Sequence, residues 1–172
     1  MKLPQDPDLF LEYIYGPNVA GSAARPLILL EWIKALPNDA GPNFWRVVAD
    51  VWSSCDLIPH IHFSVQLQRF RKDAPEIDLP AERVVFRGQD ARQRLGLSWS
   101  LSREVAERFA KGHRGILNPE PAVFSMKIRR EDVALSLSDR NEDEIVLFTM
   151  PHIRKNPTIE MIPYNCETAF AG

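Results

Sequence analysis

The sequence is short of cysteine and of long apolar runs. Only 2 of its 172 residues are cysteines, Cys55 and Cys166, and their wide separation does not suggest a disulfide framework. The apolar run from Leu27 to Leu30 is as long as any in the chain, whereas a membrane span needs about 20 apolar residues. The N-terminal segment has no apolar core of signal-peptide length, because prolines and aspartates interrupt it. We therefore expect a soluble, cytoplasmic protein with no membrane partner.

An excess of charge of either sign is also missing. Lysine and arginine together number 21, against 23 aspartates and glutamates, which gives a formal net charge of −2. The chain as a whole therefore lacks the basic character of nucleic-acid-binding proteins, although a local basic groove is compatible with it. With 45% hydrophobic and 26% charged residues, the composition is that of a globular protein long enough for one domain with a core.

Residues 1–75 have the pattern of a helical N-terminal part. Asp6 as N-cap, Pro7 at the first helical position and Gly16 as a stop signal predict a first helix. Apolar residues at helical spacing predict three more, and Pro37 marks the end of one of them. These helices are predicted at residues 24–36, 41–56 and 61–71.

Residues 76–172 have the pattern of a β-rich core. A linker rich in proline and acidic residues, at 72–82, precedes a short strand that is predicted to end at Gly88. A helix follows the next strand, with Ser102 as N-cap and Gly112 as terminator, and later apolar segments predict four more strands. Helices followed mainly by strands predict an α+β fold, in which the two parts form one compact unit.

An acidic cluster, Glu142 to Glu144, stands directly before the apolar segment Ile145 to Phe148. Because side chains alternate along a strand, Glu142 and Glu144 are predicted to share one face, with Asp143 on the other. Two carboxylates on one face can share a proton or bind a sugar hydroxyl. Taken alone, the cluster is more simply explained as a solvated entrance to a strand.

Two earlier segments carry side chains suited to binding a ligand. Arg87 can bind a phosphate through two parallel hydrogen bonds, and Gly88 allows a ligand close to the backbone. Ser98 and Ser100 are predicted on one face of a strand, and Trp99 on the opposite face in the core. Taken alone, each has an ordinary explanation, as a charge at a strand end or as hydroxyls satisfied by backbone or water.

Cys55, His60 and His62 stand close together and are residue types that bind metals. A structural zinc site normally needs four ligands with a recognisable spacing, and Cys166 does not supply one. We therefore predict no metal site here. Cys55 as a catalytic nucleophile is no better supported.

In their order along the chain, these segments resemble the Arg–Ser–Glu class of ADP-ribosyltransferases, a group typified by clostridial-type toxins. "VVFRG" is similar to the arginine strand of that class, "GLSWSLSREVAERFA" to its Ser-x-Ser strand and following helix, and "RNEDEIVLF" to its Glu-x-Glu segment. The resemblance is to bacterial and phage-type members, covers residues 82–162 and implies a mixed or antiparallel two-sheet core. It does not cover the helical part, whose aromatic residues fit a core, a lid over the dinucleotide or a target-recognition surface.

The resemblance implies a role for each segment. Arg87 would hold the phosphates or the nicotinamide-side ribose of NAD, and Ser98 would support that ribose and position the catalytic carboxylate. Glu144 would be that carboxylate, and Glu142 would help to activate the acceptor. NAD would be a substrate, and no metal is implied. The residues that would bind NAD are Arg87, Gly88, Ser98 and Ser100.

The function implied by the resemblance is mono-ADP-ribosylation of a macromolecule, as carried out by a toxin or effector. Protein arginine is the favoured acceptor because Glu142 is present, and nucleic acid is the second candidate because "LSLSDRN" lacks an aromatic residue. Such a protein would act in the cytoplasm of the producing cell or of a target cell, with an antitoxin or immunity protein as partner. Two further functions are compatible with the same residues, namely an NAD glycohydrolase and a catalytically silent binding module of the same fold.

Overall fold

The computed structural model describes residues 3–113, 116–138, 143–151 and 157–162. Within these ranges helices precede a mainly β second part, which confirms the α+β class. No helix among them is long and apolar enough to span a membrane. The α-helices are α1 (Pro7–Tyr15), α2 (Gly21–Ala35), α3 (Gly41–Val51), α4 (His60–Arg69) and α5 (Arg103–Lys111), and the 3-10 helices are Trp52–Ser54, Arg71–Asp73 and Arg130–Asp132.

The first helix, α1, begins and ends where the sequence predicts. Asp6 precedes it, and its side-chain oxygen accepts hydrogen bonds from the amides of Asp8 and Leu9 at 3.0 and 3.1 Å. Pro7 occupies the first helical position, and Gly16 follows the last. The Asp6 side chain therefore satisfies two of the amides that a helix leaves without partners in its first turn.

The second helix, α2, begins at Gly21, ahead of its predicted start, and contains Pro26. Proline has no amide hydrogen, so the carbonyl of Ser22, four residues earlier, lacks its usual helical donor. The amide of Asp56 donates to that carbonyl instead, at 3.0 Å. This bond ties α2 to the chain that directly follows the 3-10 helix Trp52–Ser54.

The described strands form one six-stranded antiparallel sheet and a separate two-stranded pair, β3 with β4, which the sequence did not predict. The order in the large sheet is β6-β7-β2-β1-β5-β8. A two-sheet ADP-ribosyltransferase core therefore stays a prediction. The strands are β1 (Glu82–Asp90), β2 (Ser98–Ser100), β3 (Gly112–His113), β4 (Ile116–Leu117), β5 (Pro121–Arg129), β6 (Val133–Leu137), β7 (Glu144–Leu147) and β8 (Thr158–Met161).

The first strand, β1, continues to Asp90, so its predicted end at Gly88 is wrong. Its pairing with β5 runs without interruption from Glu82 to Asp90, and this long ladder overrides the local preference of glycine for a turn. A Cβ atom at Gly88 would lie 1.7 Å from the carbonyl oxygen of Ala106 in α5. The glycine therefore allows α5 to pack on the strand, and α5 fills the space that we expected a ligand to use.

A hydrophobic cluster joins the helical part to β6 and β7. It includes Trp32 and Phe44 from the helices, Val146 from β7, and Phe148, which directly follows β7. A second cluster, on the other face of the sheet, includes Trp99, which is 2% exposed, and this confirms its predicted place in the core. The helical part thus covers the end of the sheet at which β7 lies.

Candidate active site

Three predicted site residues, Arg87, Ser98 and Glu144, lie on the neighbouring strands β1, β2 and β7. The register places Ser100 opposite Glu144 and Ser98 opposite Val146, so Ser98 and Glu144 share a face of the sheet. All three of the predicted residues are half-buried. The sheet therefore brings together residues that are 57 positions apart in the chain, from 87 to 144.

The Glu144 carboxylate is held by hydrogen bonds at both of its oxygens. The indole nitrogen Nε1 of Trp52 donates to Oε1 at 3.1 Å, and the hydroxyl of Ser53 donates to Oε2 at 3.1 Å. The same indole nitrogen lies 3.1 Å from Oγ of Ser98. One tryptophan N–H thus links the serine of β2 to the glutamate of β7. Donors to both oxygens fix the orientation of the carboxylate.

Arg87 extends its guanidinium into the gap between β1 and β2. These strands pair at a single position, Phe86 opposite Ser100. Beyond it, Nη1 of Arg87 donates to the main-chain carbonyl of Ser98, where a strand amide would otherwise donate. The gap between the two strands is therefore filled by a cationic side chain at the centre of the sheet.

Burial lowers the pKa of Arg87 to about 10, while the negative charge of Glu144 acts in the opposite direction. Arg87 is still protonated at neutral pH. Its charge is nevertheless poorly hydrated, and a buried cation is stabilised by an anion in contact with it. The negative charge of Glu144 supplies part of this stabilisation, so Arg87 and Glu144 are electrostatically coupled.

Gln89 fixes the position of Arg87, and the sequence analysis missed it. It lies two residues after Arg87 on the same face of β1 and is 4% exposed. Its side-chain oxygen accepts from Nε of Arg87, and its amide nitrogen donates to the main-chain oxygen of Gln93 at 2.7 Å. The sequence signal that could have identified Gln89 is its spacing, because a residue two positions after Arg87 on a strand lies on the same face.

His60, at the start of α4, borders the site from the helical side. Its Nδ1 accepts a hydrogen bond from the amide of Leu97 at 3.2 Å, and a Cβ atom at Gly96 would lie 2.3 Å from its Nε2. Burial, with the positive charge of Arg87 as a second cause, lowers the pKa of His60 to about 4. His60 is therefore neutral at physiological pH and carries its proton on Nε2.

The remaining candidate residues have different surroundings. The hydroxyl of Ser100 accepts from the amide of Ser102 at 3.0 Å, which places it in the turn that begins α5. Asp143 is exposed, precedes β7 and has a φ of 42°, so it is not an extended strand residue. Strand alternation therefore does not relate the faces of Glu142 and Glu144 as we predicted. Glu142 itself lies outside the described residues.

Cys55 lies close to the site, and its surroundings do not activate its thiol. Its thiol is within hydrogen-bond distance of the main-chain oxygen of Val51, at 3.5 Å, and burial raises the pKa of the thiol to about 12. A thiol with such a pKa is protonated at neutral pH and therefore unreactive. Among the residues that the structure describes, no three or more His, Cys, Asp or Glu side chains are grouped to hold a metal ion.

The helical part supplies two residues of the site that the sequence analysis did not assign to it. Trp52 was interpreted only as one of several aromatic residues, and Ser53 was not considered. Both belong to the 3-10 helix that follows α3, and Trp52 is 1% exposed. Their contribution depends on how the helices dock on the sheet, which no local pattern in the sequence reveals.

Comparison of the chain with protein-family models, curated proteins and solved structures finds no match. The geometry of the site is therefore the basis for a functional assignment. It consists of a fixed carboxylate, a serine hydroxyl and a half-buried arginine on three adjacent strands, with an indole N–H connecting the first two.

Proposed function

We propose that the protein is a mono-ADP-ribosyltransferase that transfers ADP-ribose from NAD to a macromolecular acceptor. The observation that carries this proposal is the position of Glu144, which is held at both carboxylate oxygens and is linked through the Trp52 N–H to Ser98, whose main-chain carbonyl binds Arg87. These are the residues to which the resemblance assigns catalysis and NAD binding. The arrangement requires the docked helical part as well as the sheet, because Trp52 and Ser53 hold the carboxylate.

The reaction breaks the bond between C1′ of the ribose and the nitrogen of nicotinamide. The electron pair of that bond goes to the nicotinamide ring, which leaves as a neutral molecule and needs no general acid. A nucleophile of the acceptor forms the new bond to C1′, and its proton passes to a base or to solvent. Positive charge develops on the ribose during this exchange, and the carboxylate of Glu144 stabilises it, as carboxylates do in glycosidases.

Arg87 supports the choice of a phosphate-containing substrate. Its guanidinium is planar and can donate two parallel hydrogen bonds to phosphate oxygens. Its lowered pKa, caused first by burial, reflects a charge that a bound phosphate would stabilise. In the proposed complex Arg87 binds the pyrophosphate of NAD and thereby fixes the distance between the ribose and Glu144.

The acceptor is proposed to be arginine on a protein. This choice depends on Glu142, which the resemblance assigns to acceptor activation. An acceptor in nucleic acid, hydrolysis of NAD by water, and binding without catalysis are outcomes that the test separates. A protein with this activity would act as a toxin or effector in the cytoplasm, and an antitoxin or immunity protein would be its natural partner.

The test uses NAD labelled on its adenylate group, incubated with the purified protein and a cell lysate. Transfer of the label to protein supports the proposal, whereas transfer to nucleic acid corrects the acceptor class. Release of nicotinamide without labelled macromolecule indicates a glycohydrolase. Absence of both turnover and NAD-dependent thermal stabilisation would overturn the proposal.

Two variants make that test specific to the site. Glu144→Gln keeps the size of the side chain but removes its charge, and it should lower the rate of labelling by about 10²–10³-fold. Glu107→Gln makes the same change in α5, where Glu107 pairs with Arg103 at the surface. A rate of labelling that is unchanged in Glu144→Gln, or that falls equally in both variants, would place the activity elsewhere.

A further inference from the structure

The 3-10 helix Trp52–Ser54 presents two hydrogen-bond donors to a carboxylate on a different part of the fold. Trp52 donates to one oxygen of Glu144 and Ser53 to the other, each at 3.1 Å. The two donors are adjacent in the chain, whereas Glu144 follows more than 90 residues later. Two donors from a single turn determine both the position and the plane of the carboxylate.

The turn that carries these donors is itself firmly held. The Trp52 ring packs edge-on against Phe63 of α4, with ring centroids 5.3 Å apart. Arg25 of α2 donates to the main-chain oxygen of Ser54 at 3.2 Å. The amide of Asp56 bonds the Ser22 carbonyl that Pro26 leaves without its helical donor. Helices α2 and α4 therefore both fix the turn on which the donors stand.

A half-buried carboxylate needs such donors for catalysis. Glu144 contacts the buried side chain of Trp52 and shares a face of β7 with the buried residue Val146, so its charged form loses part of its hydration. Hydrogen bonds from N–H and O–H groups replace the lost water contacts and stabilise the negative charge of the carboxylate. Because the donors are fixed before the substrate binds, they need no rearrangement as charge develops on the ribose.

We propose that Trp52 and Ser53 are positioning residues that hold the Glu144 carboxylate in its catalytic orientation. The helical part is then a component of the catalytic apparatus and not an accessory to the sheet. This inference rests on the proposed function, since it names the residues that prepare Glu144 for that reaction. Trp52 has the additional task of linking Glu144 to Ser98 through one N–H group.

The deciding experiment measures kcat and KM for NAD in single-residue variants. Ser53→Ala removes one oxygen atom from a half-buried side chain, so the fold is expected to persist. The hydrogen bond is to a charged group, and its loss should lower kcat by about tenfold with KM changed by less than about twofold. Ser53→Thr keeps the hydroxyl and should restore most of the activity.

Ser54→Ala is the matched control on the same turn. The hydroxyl of Ser54 donates to the main-chain oxygen of Val51 at 2.7 Å, so it is engaged within its own segment of the chain. Its removal should leave kcat unchanged even if the melting temperature falls. Wild-type turnover combined with an unchanged kcat in Ser53→Ala overturns the inference. Equal losses of kcat in Ser53→Ala and Ser54→Ala overturn it as well.

A second measurement tests the hydrogen bond without turnover. The indole N–H signal of Trp52 in a nitrogen-labelled protein, assigned by its loss in Trp52→Phe, should shift on Glu144→Gln and stay unchanged in Glu107→Gln. A signal that is indifferent to Glu144→Gln contradicts the positioning role. If wild-type protein shows this coupling but no NAD turnover, the bond exists while the proposed function fails, and the inference fails with it.

Discussion

The helical part and the sheet contribute to one site by different physical means. In the sheet, strand register places Ser98 and Glu144 on the same face, and the gap between β1 and β2 admits the Arg87 side chain. In the helical part, Trp52 and His60 reach the site through a 3-10 turn and the first turn of α4. Strand residues of the site can be recognised from a sequence because their motifs occur in a fixed order along the chain. Residues that reach the site through the docking of helices belong to no such ordered pattern.

The largest expected effect concerns the sheet side of this comparison. Glu144→Gln should lower kcat by about 10²–10³-fold, because an amide does not stabilise a developing positive charge as a carboxylate does. NAD binding, measured by titration calorimetry, should change little since Arg87 remains in place. If Glu144→Gln weakens NAD binding but leaves kcat unchanged, Glu144 binds the substrate and does not act on it.

The second expected effect concerns His60, where the two parts meet. Its pKa falls from the usual 6.5 to about 4 because of burial, with Arg87 as a second cause. Between those values the unfolded chain binds more protons than the folded protein. The contribution of His60 to stability is therefore complete above about pH 6.5 and is lost as the pH decreases towards 4. Since one pKa unit corresponds to about 1.36 kcal/mol, the loss in the free energy of unfolding is at most about 3 kcal/mol.

Urea unfolding at about pH 7.5 and about pH 5 measures this dependence. His60→Gln should flatten the pH dependence of the free energy of unfolding. His62→Gln is the matched control, because His62 is exposed on the same helix. If both variants keep the wild-type dependence, the acid sensitivity belongs to other groups, and the contact between His60 and the loop before β2 is not tight.

Individual residues show how much of this could be predicted from the sequence. Asp6, Pro7 and Gly16 predicted α1 correctly, because capping depends only on neighbours in the chain. Trp99 was correctly placed in the core, because its pattern has the period of a strand. Glu142 could not be related to Glu144, because the positive φ of Asp143 interrupts the alternation.

The residues that the sequence analysis missed or misread depend on tertiary contacts. The glycine at 88 fits a turn or a ligand approach in sequence, yet its neighbour in the fold is the backbone of α5, from another segment of the chain. Trp52 is a residue type expected in the core and is buried there, with 1% exposure. Its N–H nevertheless donates a hydrogen bond to Glu144 in the site. An apolar ring and a polar N–H in one side chain allow both roles at once.

A third, smaller effect tests the reinterpretation of Gly88. Gly88→Ala should destabilise the protein by about 1–3 kcal/mol, because the new Cβ meets main-chain atoms of α5 that cannot move independently. The melting temperature measures the loss. Gly41→Ala is the comparison, since the nearest atoms to its Cβ belong to the side chain of Asp73, which can turn. A raised KM for NAD with an unchanged melting temperature in Gly88→Ala would restore the expectation that a ligand approaches there.

The smallest expected effect concerns Asp6 in the helical part, which is far along the chain from Trp52 and Ser53. Asp6→Ala removes the N-cap of α1 and should lower the free energy of unfolding by about 1 kcal/mol. Asp39→Ala, at an exposed loop position between α2 and α3, is the control and should change stability by less than about 0.5 kcal/mol. Denaturant unfolding measures both.

The kcat of Asp6→Ala separates two ways in which the helices can support the site. If they act only through the turn that carries Trp52 and Ser53, fraying of the first turn of α1 leaves that turn in place, because its bonds run to α2, to α4 and to Tyr15 at the opposite end of α1. Activity should then be unchanged while stability falls. A fall of kcat as large as that of Ser53→Ala would show that the whole helical part sets the orientation of Glu144, so that no single turn can be assigned the task.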